Sequence, residues 1–438
     1  MTDTIPRLML MGLSERACLD PVLLGLTAAF GRNSWQPQVY TDTASPEMVD
    51  CTQPLYGLAM RHLDLWVLGP ERCYEIFART AAMVDIALIR CDFNPERNPL
   101  QWRLAECLDT PVIAVVHASD LDRGIPLTPP LPRPPDGVLV TGVSRQDPRT
   151  LSQRALSIAQ APFIGAISQD AVTQATRQAR FPKTLDQLAN DLADQLLEFT
   201  SLDHLCNLAT SRPFSFPSSS DTPRVCADRP LRIAAAWDDT CHCYLPDALD
   251  ELQLLGAEIV DFAPSRCEDL PENVDVVFFG SGHVTEDYLR SLAANACLQG
   301  ALRAHVCRNK VVYAEGTGAA ILAQAVETPD GELIPMTGIL SAVLRVHSPT
   351  SAAQPIELEP ARKVWVFQPG VRMRGYLSEG VRFCDIGAES VVAQARCENG
   401  PTPVVLARKN CVASLAYFHL GADPEALAAA LLAAQTTH

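Results

Sequence analysis

Three stretches of the chain combine residue types that could do chemistry. In "WDDTCHCYLPDAL", Cys241, His242 and Cys243 place two thiols and an imidazole side by side just after an apolar strand pattern. Two soft thiolates and an imidazole suit a transition metal. The spacing matches no recognised ligand pattern, and a chance cluster among 15 cysteines is the plainer alternative. In "FGSGH", Gly280 and Gly282 frame a glycine-rich turn, and His283 follows either as a ligand-facing residue or as an ordinary loop histidine. The third stretch, "VVYAEGTGAAILA", is a buried strand pattern that breaks sharply toward a helix, the kind of elbow on which α/β enzymes mount a nucleophile. Its tip holds Glu315, Gly316, Thr317 and Gly318, and no thiol.

The first strand–helix junction, "GLSERACLD", invites a similar test. A phosphate-cradling loop needs glycines for close backbone approach, a lysine for the terminal phosphates and a hydroxyl for Mg²⁺. Gly12 is there, but Glu15 and Asp20 would repel a phosphate, and Lys183 is the single lysine before residue 210. Arg16 is the one cation of that loop, available to some other anion or simply a surface arginine. The composition adds exclusions. A net charge of −16 without a basic stripe argues against nucleic acid and anionic membrane as partners. No apolar run reaches the ~18 residues that a membrane span needs, and the N-terminal "MTDTIPRLMLMGL" has no basic segment or cleavage site, so a cytoplasmic protein is expected. The scattered, odd-numbered cysteines read as reduced core filler.

These residues are carried by an alternation of short apolar strands with helical patterns. Strands are expected near 7–12, 36–41, 84–90, 111–117, 137–143 and 162–166, with helices over 19–31, 70–83, 99–108, 148–160 and 184–199. Proline, serine and polar residues then take over in "TSRPFSFPSSSDTPRVCADRP", which reads as a linker over 210–230. The alternation restarts with strands 231–237, 257–263, 274–280 and 310–314 and helices 246–255, 285–306 and 317–325, before a β-rich stretch that ends in helix 424–434. The expected fold is therefore α/β, with two doubly wound domains over 1–209 and 231–438.

Several of these stretches, in this order, resemble the cobyrinic acid a,c-diamide synthase family over nearly the whole chain. "RHLDLWVLGPERCYEIFARTAAMVDIALI" is similar to the family's stretch beginning Asn-Leu-Asp, "FFGSGHVTEDYLRSLAANACLQGALRAH" to its glycine-rich turn and following helix, and "VVYAEGTGAAIL" to its strand bearing Ala-Glu-Cys-Gly-Gly. The resemblance implies a P-loop-type ATP domain followed by a class I glutamine amidotransferase domain. It also implies that Gly316 stands at the nucleophilic cysteine, that His419 in "SLAYFHLGA" is the histidine base, and that Gly280 and Gly282 form the oxyanion turn. In "DIALIRCDFNPERNP" Arg90 stands at the metal-binding acid, with Asp92 two residues on as a possible metal-reaching acid or a solvated loop residue. Arg374, Gly375 and Tyr376 stand where the family reads Arg-Gly-His-Glu, so its His-Glu pair is lost.

With the lysine, the thiol and the His-Glu pair all missing, neither ATP with Mg²⁺ nor glutamine turnover is expected. The expectation is a non-catalytic member that binds a tetrapyrrole or a partner protein, as a homodimer or beside an enzyme of tetrapyrrole metabolism. Arg372, Arg374 and Arg382 are candidates for a carboxylate-binding groove wall, or else scattered surface arginines. Cys241, His242 and Cys243 would be axial ligands of a metallotetrapyrrole. The alternatives are an active ATP-dependent amidation of a tetrapyrrole carboxylate with glutamine or ammonia, and a thiol- or metal-based activity at the Cys-His-Cys triplet. Fold analogy alone licenses none of them.

Overall fold

The computed structural model describes residues 4–44, 59–123, 131–144, 148–178, 185–214, 229–238, 241–282, 285–347, 353–377, 380–387, 391–397 and 400–435. The chain divides into two compact units, one formed by Met1–Thr43 and Cys51–Ser220 and the other by Ala44–Asp50 and Asp221–His438.

The first unit is built on strands β1 (Arg7–Gly12), β2 (Pro37–Thr41), β3 (Arg61–His62), β4 (Ile86–Cys91), β5 (Val112–His117), β6 (Gly137–Val143) and β7 (Phe163–Ser168). They lie in the order β3-β2-β4-β1-β5-β6-β7, every pair parallel. Every residue of β1 and β4 is buried, as expected of strands covered on both faces. The crossovers are helices α1 (Leu19–Gly31), α2 (Leu65–Ala81), α3 (Asn98–Cys107), α4 (Ala118–Asp122) and α5 (Pro148–Ala159), and α6 (Gln169–Gln178), α7 (Leu185–Leu197) and α8 (Leu202–Ala209) follow β7. Strand order reverses at β1, so right-handed crossovers place α1 on one face and the helices after β4 on the other. The second helix begins five residues earlier than its periodicity suggests. Asp64 caps it by accepting from Trp66 N and Val67 N, and Gly69 at φ 75° absorbs the kink that Pro70 imposes.

Arg7 at the start of β1 is fully buried, and its guanidinium donates to Leu108 O, Ile5 O, Asp109 O and Pro213 O at 2.8–2.9 Å and to Arg212 O at 3.2 Å. It also lies over the Phe214 ring, 5.1 Å from the centroid. Phe214 in turn stacks on Tyr74 and meets Phe77 edge-on. Residues 210–214, expected at the start of the linker, are therefore packed onto the first unit. The span 215–228 of that linker lies outside the described residues.

The second unit contains β8 (Leu231–Ala236), β9 (Ala257–Phe262), β10 (Val276–Phe279), β11 (Val311–Glu315), β12 (Ala325–Glu327), β13 (Leu333–Pro335), β14 (Val343–Val346), β15 (Gln354–Leu358), β16 (Met373–Leu377), β17 (Val381–Cys384), β18 (Val391–Cys397), β19 (Gly400–Arg408), β20 (Cys411–Ser414) and β21 (Ala416–Phe418). Its main sheet runs β18-β19-β20-β11-β10-β8-β9, parallel from β20 to β9 and antiparallel at β18 and β19. Two small sheets, β13-β12-β14-β17 and β15-β16-β21, account for the β-rich C-terminal stretch. The helices are α9 (Pro246–Leu254), α10 (Glu286–Ala294), α11 (Ala296–Cys307) and α12 (Pro424–Gln435).

Two expected helices differ in form. The pattern over 285–306 is broken at Asn295, whose non-helical backbone ends α10 and whose side chain caps α11 at Leu298 N. The elbow continues as a 3₁₀ turn over Gly316–Leu322, because Thr337 and Gly338 take the carbonyls of Ile321 and Ala323 that a continuing α-helix would use. Among the described residues no helix is long and apolar enough to cross a membrane.

Candidate functional site

At the C-terminal end of the second unit's sheet, the elbow after β11 meets the turn after β10. Gly316 adopts φ 53°, and a Cβ built there would lie 2.2 Å from Tyr417 Oη and 2.8 Å from Ser281 Oγ. Two residues on, a Cβ at Gly318 would strike the Gly280 carbonyl oxygen at 2.2 Å, so only glycine lets the elbow sit this close to the turn. The strained geometry of a nucleophile elbow is present, and the space where its side chain would project holds the Tyr417 hydroxyl.

That hydroxyl belongs to a continuous network. Tyr417 Oη pairs with Ser281 Oγ, which lies 2.9 Å from Thr317 Oγ1, and Thr317 Oγ1 donates to Gly282 O at 2.9 Å while accepting from Gly282 N at 3.0 Å. One assignment satisfies all three protons: Tyr417 to Ser281, Ser281 to Thr317, Thr317 to Gly282 O. Both glycine N–H groups of the turn are thereby engaged. Gly282 N donates to Thr317, and Gly280 N donates to Tyr244 Oη at 2.9 Å. An incoming oxyanion would have to displace these partners.

His419 is buried after β21 and accepts a hydrogen bond from Gly421 N at Nδ1, 3.2 Å away. A neutral ring bonded this way carries its proton on Nε2, and its one remaining lone pair, on Nδ1, is shared with a backbone N–H. Glu315, the last residue of β11, is likewise buried, and burial raises its carboxyl to about 7. It accepts from the Tyr313 hydroxyl and from Phe418 N at 3.3 Å, tying the elbow to the strand that carries Tyr417.

The Cys-His-Cys triplet lies beside the same turn, in a bridge in which His242 N and Cys243 N donate to Ser281 O at 3.1 and 2.9 Å. It does not present three ligands to one point. Cys241 is buried and donates its thiol to Gly280 O at 3.0 Å, burial pushes that thiol well above its ordinary range, and His242 Nδ1 faces Asp238 O. Among the described residues no group of three or more His, Cys, Asp or Glu side chains is placed to hold a metal ion. The Cys241 thiol, held by a backbone carbonyl in the core, is not presented to a ligand in this geometry. His283 lies outside the described residues.

The three arginines divide between two small sheets. Arg372 and Arg374 both pair with Glu357 across β15 and β16, at 3.4 and 2.8 Å, whereas Arg382 stands on β17 opposite Arg345, in the other small sheet. A β-rich sequence gives no sign of which short strands share a sheet, so this division shows only in the structure.

In the first unit, the junction after β1 is also closed by its own residues. Arg90 on β4 pairs with Asp20 and, through Nε at 2.9 Å, with Asp92. A guanidinium therefore sits among the acids that would approach a metal, and Asp92 is an ion-pair partner rather than a bare loop aspartate. Arg16 Nη1 donates to Ser119 Oγ at 3.1 Å, and Ser119 in turn meets His117 Nδ1 at 2.8 Å. With no lysine and with Arg90 in that position, the residues present do not fit Mg-ATP. Sequence reasoning passed over Tyr417 and Ser281. Both lie in quoted motifs, two residues before His419 and between the paired glycines, and the signal is a hydroxyl at each place bordering an elbow without a nucleophile.

Comparison with known proteins matches residues 232–376 to the CobB/CobQ-like glutamine amidotransferase domain. A cobyrinate a,c-diamide synthase from Syntrophotalea carbinolica is 27% identical over 376 residues, covering 78% of each chain. A hydrogenobyrinate a,c-diamide synthase from Pseudomonas aeruginosa is 27% identical over 393 residues, covering 86% of each. A cobyrinate a,c-diamide synthase from Priestia megaterium is 23% identical over 450 residues, covering 95% of this chain and 94% of its own.

Proposed function

The chain belongs to the cobyrinate a,c-diamide synthase family, and within it we propose a catalytically silent member that holds a tetrapyrrole ligand instead of amidating one. The observation that carries this reading is the Tyr417 hydroxyl in the space of a side chain at position 316. Covalent glutamine hydrolysis needs a thiolate on the elbow, a base beside it and free N–H donors for the oxyanion. Here the first is replaced by glycine, the second has its Nδ1 engaged, and the third donate to Thr317 and Tyr244. In the other half Arg90 supplies a fixed positive charge among Asp20 and Asp92. Two independent closures, one in each unit, favour retention of the shell for binding over loss of a single residue.

The test has two parts. Glutamate release from glutamine, with denatured protein as control, is expected to be absent, and turnover of ~0.1 per second or more would restore the amidating reading. Titration with cobyrinic acid and its metal-free counterpart, followed by visible absorption, is expected to saturate below ~100 µM. Silence in both assays would leave protein docking as the function of the shell.

A further inference from the structure

At the end of β11 away from the elbow, a cavity of about 180 Å³ opens between α12 and the turn at Val364–Phe367. Its apolar floor is formed by Val311, Ala430 and Ala434, and Lys363, Trp365 and Gln368 stand along its rim. No acidic side chain lines it.

Two features of the rim are unusual. Val364 N donates to Phe367 O at 3.0 Å and Phe367 N to Val364 O at 2.9 Å, which closes a two-residue loop with Trp365 at φ 46°. Such positions are normally filled by glycine or asparagine, and a bulky residue in the left-handed region is a genuine outlier. Strain of this kind gathers at ligand clamps. The Trp365 side chain is also nine-tenths buried, packed 4.3 Å centroid to centroid from Tyr313, and its indole N–H has no acceptor. A buried donor left unmade is costly, and the cost is removed when a ligand or water supplies the acceptor. Lys363 is exposed and, among the described residues, makes no ion pair.

We propose that this cavity binds a small monocarboxylic acid with a compact apolar body, such as an aromatic acid with one ring. An apolar cavity of ~150 Å³ already holds a benzene ring, so the floor accommodates the ring while Lys363 meets the carboxylate, and a shift of the Trp365 ring on binding opens its sealed indole N–H to the second carboxylate oxygen. The inference is independent of the reading of the elbow, which lies at the other end of β11.

Calorimetric titration of the full chain with sodium benzoate tests it, with benzyl alcohol as the uncharged probe. Saturable benzoate binding is expected at millimolar concentration or tighter. Lys363→Gln is expected to weaken benzoate about fivefold, an exposed ion pair's worth, while leaving benzyl alcohol unchanged. Ala433→Leu, an exposed helix position on the rim, is expected to abolish binding of both without lowering the melting temperature, and Ala429→Leu serves the same purpose should the first variant melt early. Absence of saturation up to about 10 mM, or benzoate binding that survives both leucine variants, overturns the proposal.

Discussion

Residues 316 and 417 share one volume, so a change at either is felt at the other. Gly316→Cys alone is expected to destabilise the second unit by about 1–3 kcal/mol, since the new Cβ meets the Tyr417 hydroxyl and the backbone is left-handed. Adding Tyr417→Ala is expected to recover much of that loss and to leave a thiol that iodoacetamide labels in the double variant and not in the single one; urea unfolding and mass spectrometry read the two effects. Glu315 sets a pH dependence. Its folded carboxyl stands at about 7 against an ordinary 4.5, so the folded state binds the extra proton between those values. Its contribution is full below pH 4.5 and is lost as pH rises through 7, with a slope of up to about 1.4 kcal/mol per pH unit. Glu315→Gln is expected to remove this slope. Asp42 in the first unit, raised by burial to about 6, slopes in the same direction, so the difference between wild type and variant isolates Glu315.

At the scale of elements, what fixes a segment is often one side chain reaching a distant carbonyl. Arg7 holds the ends of α3 and of the segment after α8 against β1, and burial lowers its guanidinium only to about 10, so it is charged at neutral pH. Arg7→Met would leave several buried carbonyls without donors, at an expected cost of about 3 kcal/mol or more. Arg7→Lys recovers little, because one ammonium cannot span five acceptors. Faster chymotryptic cleavage after Phe214 in the methionine variant would show that the 210–214 segment has come loose; unchanged cleavage would show that Phe214 packing alone holds it. The strands of the first sheet other than β3, and β8 to β11 of the second, were legible as apolar runs, and most of the longer helices as 3.6-residue patterns, whereas β18 to β20 were hidden in an undivided β-rich stretch. The break at Asn295 was signalled only by a capping residue inside a helical pattern, and the 3₁₀ turn after Gly316 by nothing local, since Thr337 takes the helix's carbonyls from 16 residues away.

For the whole molecule, the division into two compact units has a direct consequence. Fragments 1–214 and 229–438 are expected to fold separately, each with its own cooperative thermal transition, since the core sheet of each lies within its fragment. Circular dichroism melts of the two fragments check this. A fragment that stays unfolded would show that its core needs the other half of the chain.

Sequence alone determined the α/β class, the parallel order of strand and helix, the family, and the absence of a phosphate-loop lysine and an elbow thiol. Each is a matter of residue type along the chain, where periodicity and position suffice. What the sequence could not decide is what fills the space those absences leave. Tyr417 comes 101 positions after Gly316, and Ser281 comes 35 before it. They meet because β11 lies between β10 and β20 in the sheet, with β21 following β20. The same holds for Arg90 among Asp20 and Asp92, brought together by β4 pairing with β1, and for Arg372 and Arg382, set apart by belonging to different sheets. Strand pairing is a long-range choice made by the packed core as a whole, and it decides which side chain takes a vacant volume.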